Sequence, residues 1–104
     1  PGQFLHLAPE MQRLGHDVRA ITDSVNRNAS PVPLLRYTHK PETVDPKATR
    51  LGRNFTTMSD RAVSVARFAR KLRADGYVPD VIYGHTGWGE TLFLREVWPE
   101  ARHL

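Results

Sequence analysis

The chain reads as an α/β domain, a parallel sheet flanked by helices, and three observations predict it. Met58, Ala62, Val65, Ala69 and Leu72 recur at helical spacing and are closed by Asp75-Gly76. A short apolar run, Val81-Ile82-Tyr83, follows without polar alternation and passes into the glycine-punctuated stretch Gly84 to Gly89. Around these two features the order is helix, strand, strand, helix, strand, helix. That alternation is the pattern of a parallel sheet with right-handed crossovers.

Each element has its own local reason. Phe4, Leu5, Leu7, Ala8, Met11 and Leu14 share a helical stripe, and Gly15 stands where a left-handed C′ residue is expected, so a helix runs from about Gln3 to Leu14. Pro9 inside it removes one backbone donor, which predicts an irregular start or a bend. His16 to Thr22 alternates in its middle and carries β-branched residues, as a short strand does. Asp23 to Pro33 is a loop rich in Asp, Ser, Asn and Pro. Leu34 to Thr38 is a second strand, and Pro31 and Pro33 before it suit a sheet edge. From His39 to about Gly52 the chain is polar and reads as connector. The long stripe that follows ends at Gly76, the next strand is introduced by Pro79 and Asp80, and Glu90 to Val97 has the composition of a helix stopped by Pro99.

The 104 residues, 39% hydrophobic and 25% charged, match one ordinary domain with one small core. No apolar stretch is long enough to cross a bilayer, and Pro1-Gly2-Gln3-Phe4 lacks the basic and apolar regions of a signal peptide. The absence of cysteine excludes disulfides and a thiolate zinc site, and no His and carboxylate spacing resembles a metal site. The net charge of +4 invites a nucleic-acid partner. The basic residues are spread along the chain, however, and the aromatics are not interleaved with them as a stacking platform requires, so nucleic acid is not expected. A cytoplasmic location is expected, with a membrane-peripheral position as the further option.

In a doubly wound domain the first helix follows a central first strand, yet here it begins almost at residue 1. The expectation is an incomplete sheet, with its first strand missing before Pro1 and further elements beyond Leu104. Ligands of such sheets bind outside the carboxyl ends of the strands. Two loops fall there and are expected to be neighbours: Pro1-Gly2-Gln3, and Gly84-His85-Thr86-Gly87-Trp88-Gly89-Glu90.

Within the second loop, Gly84, Gly87 and Gly89 let a backbone approach a ligand, although Gly87 and Gly89 read equally well as plain turn residues. His85, leaving a strand end, suits a donor to a sugar hydroxyl or phosphate, or a proton carrier. Thr86 brings a hydroxyl and capping capacity. Trp88 reads as packing or as a sugar platform. Glu90 is explained by the dipole of the helix it would open rather than by catalysis. His6 and His16 read as a helix-face and a turn residue, and His39 and His103 belong to no motif.

Pro1-Gly2-Gln3-Phe4, His6-Leu7-Ala8-Pro9 and Leu14-Gly15-His16-Asp17-Val18 closely resemble the opening of a bacterial group of family-four glycosyltransferases. Asp80-Val81-Ile82, Gly84-His85, Gly87-Trp88-Gly89-Glu90 and Leu92-Phe93-Leu94 look like its second signature. The resemblance spans most of the chain apart from about Asp23 to Phe55. It implies a GT-B enzyme, with two Rossmann-like domains facing each other across a cleft. Residues 1–104 would be part of the N-terminal, acceptor-side domain, with no second domain in this chain.

By the same resemblance Gly2, with Pro1 and Gln3, approaches the donor phosphates, and His85 lies beside the transferred sugar. The other loop residues, Gly84, Thr86, Gly87, Trp88 and Gly89, are expected to line the substrates because of their place in the same loop. The reaction implied is hexosyl transfer with retention from a nucleotide-sugar to a sugar or lipid-linked acceptor. It uses neither metal nor cofactor, the nucleotide-sugar being substrate. The family's C-terminal pair of glutamates and its nucleotide pocket have no counterpart here, and Glu90 does not replace them. The chain alone is therefore expected to be inactive without the missing C-terminal domain. Two rival readings stand beside it: a freestanding nucleotide- or phosphate-binding α/β module using the same two loops, and a basic nucleic-acid binder acting through Arg61 to Arg73.

Overall fold

The computed structural model describes residues 4–41 and 44–104, in two compact units, Pro1–Thr38 and His39–Leu104. Each is an arrangement of short parallel strands and helices.

In the first unit, α1 spans Leu7–Arg13. It begins later than its apolar stripe predicts, and this accommodates Pro9. Pro9 now lies in the first turn, where backbone N–H groups have no intrahelical acceptor and its missing donor costs nothing. The helix closes as expected: Gly15 has φ 92°, its N–H reaches the Gln12 carbonyl (2.9 Å), and His16 N–H reaches that of Met11 (3.1 Å). These are the two bonds of a Schellman motif. The stripe itself is not buried, for Leu7 and Leu14 are exposed and no residue of α1 is buried.

β1 (Ala20–Asp23) pairs in parallel with β2 (Leu34–Tyr37), Ala20 opposite Leu34 and Asp23 opposite Tyr37. The predicted strand from His16 is shortened at its start, because the partner cannot extend backwards. Pro33 has no N–H to give to a ladder, and its carbonyl already accepts from Ala20 (2.9 Å). Outside the pairing, Asp17 and Arg19 engage each other at 2.9 Å. The connector between the strands is held by side chains. Asn26 donates to the Thr22 hydroxyl (2.8 Å), Asp23 accepts from Val25 N–H (3.2 Å), and Asn26 accepts from Asn28 N–H (3.0 Å). Val32, Tyr37 and Thr22 are buried.

The second unit is organised by α2, Arg50–Ala74. Its first turns occupy the tail of the expected connector and the residues before Met58. Thr49 caps it by accepting Gly52 N–H at 3.1 Å. The hydroxyls of Thr56, Thr57, Ser59 and Ser64 donate back to carbonyls of the preceding turn, so these polar residues sit in the helix without breaking it. The C-terminus repeats the first helix's closure, with Gly76 at φ 92° and Tyr77 N–H on the Leu72 carbonyl.

Ala62, Val65 and Ala69 are the buried residues of α2, on the predicted stripe, and α2 packs against α3 (Leu94–Val97). Leu94, Val97, Trp98 and Ala101 complete this core. Each fully buried large side chain contributes about 1.5–3 kcal/mol.

β3 is only Val81–Ile82, paired in parallel with β4 (Arg102–His103), a strand the sequence did not announce. The pairing stops where the partner does. Leu104 N–H donates to the Ile82 carbonyl (2.9 Å) and Gly84 N–H to the Leu104 carbonyl (3.1 Å). Val81 is exposed, so the expectation of a strand covered on both faces is corrected. The last helix is corrected too, starting at Leu94 rather than Glu90 because Glu90 to Phe93 form successive turns. The strands lie in two separate two-stranded sheets, not in one described doubly wound sheet. Among the described residues no helix is long and apolar enough to cross a membrane.

Candidate functional site

The site begins where β3 ends. Once Gly84 N–H has bonded Leu104, the chain leaves the strand and His85 takes an extended conformation (φ −89°, ψ 124°) at the start of a single 3-10 turn, Thr86–Trp88. His85 itself caps that turn, its Nδ1 accepting Gly87 N–H at 3.0 Å. Thr86 therefore does not serve as the cap, and its carbonyl instead receives Gly89 N–H at 3.4 Å. Since Nδ1 accepts, the proton of the neutral ring sits on Nε2. The exposed imidazole presents Nε2–H as its remaining donor.

The three loop glycines answer to three different neighbours. A Cβ on Gly84 would stand 2.2 Å from Cγ2 of Thr91, and one on Gly87 would stand 2.6 Å from Cε1 of His85. Gly89 is buried with φ 82°, and its Cβ would meet the carbonyl oxygen of Met58 on α2 at 2.3 Å. A left-handed backbone and this close approach both require glycine there. Gly89 thus presses the loop directly against a helix backbone.

Trp88 is 58% exposed, and the guanidinium of Arg61 lies 6.0 Å from its ring centroid. A cation over an exposed ring contributes about 0.5–1 kcal/mol. Arg61 Nε is buried without a hydrogen-bond partner, as is Nε2 of His39. The Nδ1 of His39 lies 3.2 Å from the Ser64 hydroxyl, which donates to the Asp60 carbonyl. That Ser–His contact therefore belongs to the helix's own hydrogen bonding rather than to an activated nucleophile. Glu90 lies in a turn, four residues ahead of α3, and is not the helix-start residue that its dipole explanation required.

Beside the loop, Phe55, Met58, Ser59, Thr86, Gly89, Thr91 and Leu92 line a groove of about 350 Å³. A larger hollow, about 530 Å³, lies among Arg70, Arg73, Ala74, Glu96, Val97 and Pro99 and shares no residue with the loop. Arg73 there is already engaged, with Glu100 at 2.9 Å and with the Val97 carbonyl. The smaller groove is the better candidate, because it adjoins the turn that His85 caps. Among the described residues, no group of three or more His, Asp or Glu side chains could hold a metal ion.

The structure therefore brings together His85, Thr86, Gly87, Trp88 and Gly89, with Gly84 at the strand end. Gly2 and Gln3 lie outside the described residues. Arg61, Met58, Phe55 and Thr91 are neighbours that the sequence reading did not assign to the site. Arg61 carried a signal only as one of many cations on α2.

Neither the comparison with curated proteins nor that with solved structures found a match. The comparison with protein families matched the glycosyl transferase family 4 group over residues 14–104. That range contains the whole loop and the second signature, and also the stretch from Asp23 to Phe55 that the resemblance left out. The Pro1 to Pro9 part of the resemblance falls before it. With most of its length matched, the chain belongs to the glycosyl transferase family 4 group.

Proposed function

We propose that this chain is the acceptor-side wall of the cleft in a retaining glycosyltransferase of GT-B architecture, with His85 beside the transferred sugar. The observation that carries the reading is the exposed His85 imidazole, with Nδ1 bonded to the turn behind it and Nε2–H left to donate. A group that must hydrogen-bond a sugar needs a fixed donor direction and an accessible donor, and the capped, exposed ring supports that reading. Thr86, Gly87 and Trp88 would flank the substrate, and Gly84 and Gly89 would shape its approach. Gly2 and Gln3 would meet the donor phosphates. Donor nucleotide, hexose and acceptor chemistry are family-level expectations in this reading, as is a location at the cytoplasmic side of a membrane or in the cytoplasm.

The reading assigns the donor nucleotide to a second domain. The purified 104-residue chain is accordingly expected to transfer no sugar, and measurable transfer would refute that assignment. In the longer transferase, His85→Ala is expected to lower turnover more than about tenfold, since a hydrogen bond to a charged or reacting group is worth about 1.5–3 kcal/mol. Unchanged kinetics would return His85 to a purely structural role.

A further inference from the structure

We infer that Gly87 is a positioning residue for His85. It holds the imidazole by donating its backbone N–H to Nδ1 and by having no side chain where the ring lies, and so aims Nε2–H outward. The inference rests on the reading above that His85 meets the transferred sugar.

Two independent features of one residue converge on the ring. The first is the bond, 3.0 Å from Gly87 nitrogen to His85 Nδ1. It has the geometry of an N-cap, a role usually filled by Ser, Thr, Asp or Asn. A histidine in that role is unusual because its acceptor nitrogen belongs to a ring with a second functional atom. When Nδ1 accepts, the tautomer is selected and the direction of Nε2 is set by the plane of the ring. The cap therefore converts the orientation of a backbone amide into the orientation of a side-chain donor.

The second feature is steric. A Cβ on Gly87 would lie 2.6 Å from Cε1 and 3.0 Å from Nδ1 of the same ring. Carbon atoms do not approach so closely, so any side chain at position 87 must turn the imidazole away or open the turn. Gly87 is not among the glycines with positive φ, Gly15, Gly76 and Gly89. The requirement for glycine at 87 therefore comes from the neighbouring ring rather than from backbone conformation. This separates it from Gly89, whose left-handed φ and contact with the Met58 carbonyl serve the loop as a whole.

The consequence is a division of labour within one turn. Gly89 fastens the loop to α2, and Gly87 orients the one side chain that the proposed chemistry uses. Displacing a reacting or donor group by about 1 Å can cost up to roughly a hundredfold in rate, so a misaimed ring would be felt in turnover more than in substrate binding.

The test is nitrogen NMR of the 104-residue chain with labelled histidine and glycine. Free histidine already favours the Nε2–H tautomer, so the decisive signal is a scalar coupling across the hydrogen bond between the Gly87 amide nitrogen and Nδ1 of His85. Its presence is expected, and its absence, or a protonated Nδ1 in the neutral ring, overturns the inference. His85→Asn, whose side-chain oxygen replaces Nδ1 as acceptor, should keep the Gly87 amide proton at its hydrogen-bonded chemical shift, whereas His85→Ala should move it. An unmoved amide in His85→Ala also overturns the inference.

Gly87→Ala should abolish the coupling and, in the longer transferase, reduce kcat roughly tenfold or more with a smaller change in KM. A persisting coupling, or unaltered kcat alongside a His85→Ala loss, rejects Gly87 as the positioning residue while leaving the proposed function standing. If the coupling is present but His85→Ala is kinetically silent, the proposed function fails instead, and Gly87 orients a ring that does no chemistry. Should Gly87→Ala fail to fold, the wild-type coupling and the His85→Asn and His85→Ala comparison decide the matter.

Discussion

Trp88 and Trp98 belong to the same unit and are used in opposite ways. Trp98 is 1% exposed, and its polar atoms are matched: Nε1 donates to the Tyr77 carbonyl (3.1 Å), and its own carbonyl accepts from His103 Nε2 (3.1 Å) and Ala101 N–H (3.2 Å). Tyr77 meets its ring edge-on, with centroids 6.1 Å apart. Trp88 is 58% exposed on a turn whose backbone is fixed by Gly89 and His85. The difference teaches where rigidity comes from. At Trp98 the side chain is the structure, whereas at Trp88 the backbone is the structure and the side chain is left over for another partner.

The largest expected effect tests the first half of that contrast. Trp98→Ala should cost about 3–5 kcal/mol, a large part of a small domain's stability, and shift the urea midpoint accordingly. Trp88→Ala should cost at most about 1 kcal/mol by the same measurement, the size of its exposed contact with Arg61. A comparable loss from both would erase the distinction and make Trp88 a packing residue.

Gly89→Ala comes next. Forcing a left-handed alanine against the Met58 carbonyl should cost about 1–3 kcal/mol, read by the same denaturation, and should release the turn from α2. A neutral result would mean that the loop is not clamped at this point.

The smallest effect belongs to the far side of the core. The Glu100 carboxyl is held below its ordinary range, first by its own backbone N–H and then by Arg73, against a desolvation that works the other way. A depressed carboxylate stabilises the fold above its unfolded-state pKa, and that contribution is lost as pH falls through the lower folded value. Glu100→Gln should therefore be slightly less stable than wild type at neutral pH, with the gap closing below about pH 4. A gap constant with pH would show that the charge is not what matters. The group is exposed, so the effect should be small and diminished by salt.

Much of this was legible because it is local. Gly15 and Gly76 announced both helix ends, and the stripe through Ala62, Val65 and Ala69 announced the buried face of α2. His85 and its glycines were recognisable from their place after an apolar run. What was not legible depends on partners distant in sequence or on local geometry that composition does not carry. β4 is two residues with no periodicity, and it exists because Val81 and Ile82 are there to pair with it. The first turns of α2 were hidden by threonines and serines, whose hydroxyls bond the helix's own carbonyls in a way that composition cannot reveal. The order within the loop was visible, but its geometry was not. That Thr86 would yield the cap to His85, and that Gly84, Gly87 and Gly89 would each face a different neighbour, follows only from the folded loop.

The length of α2 has a consequence of its own. Twenty-five residues make a rod of about 37 Å, yet its first buried residue is Ala62. The turns before Met58 are held by backbone bonds, the Thr49 cap and returning hydroxyls, Met58 meets the loop at Gly89, and the turns from Ala62 onward are also held by a core. Local unfolding is easiest where few apolar contacts must be broken. Amide protons should therefore exchange with solvent along a gradient, fast near Leu51 and slow near Ala69. A single helix would then report two stabilities, and any surface that comes to lie along Leu51 and Phe55 would register as a slowing of its fast end.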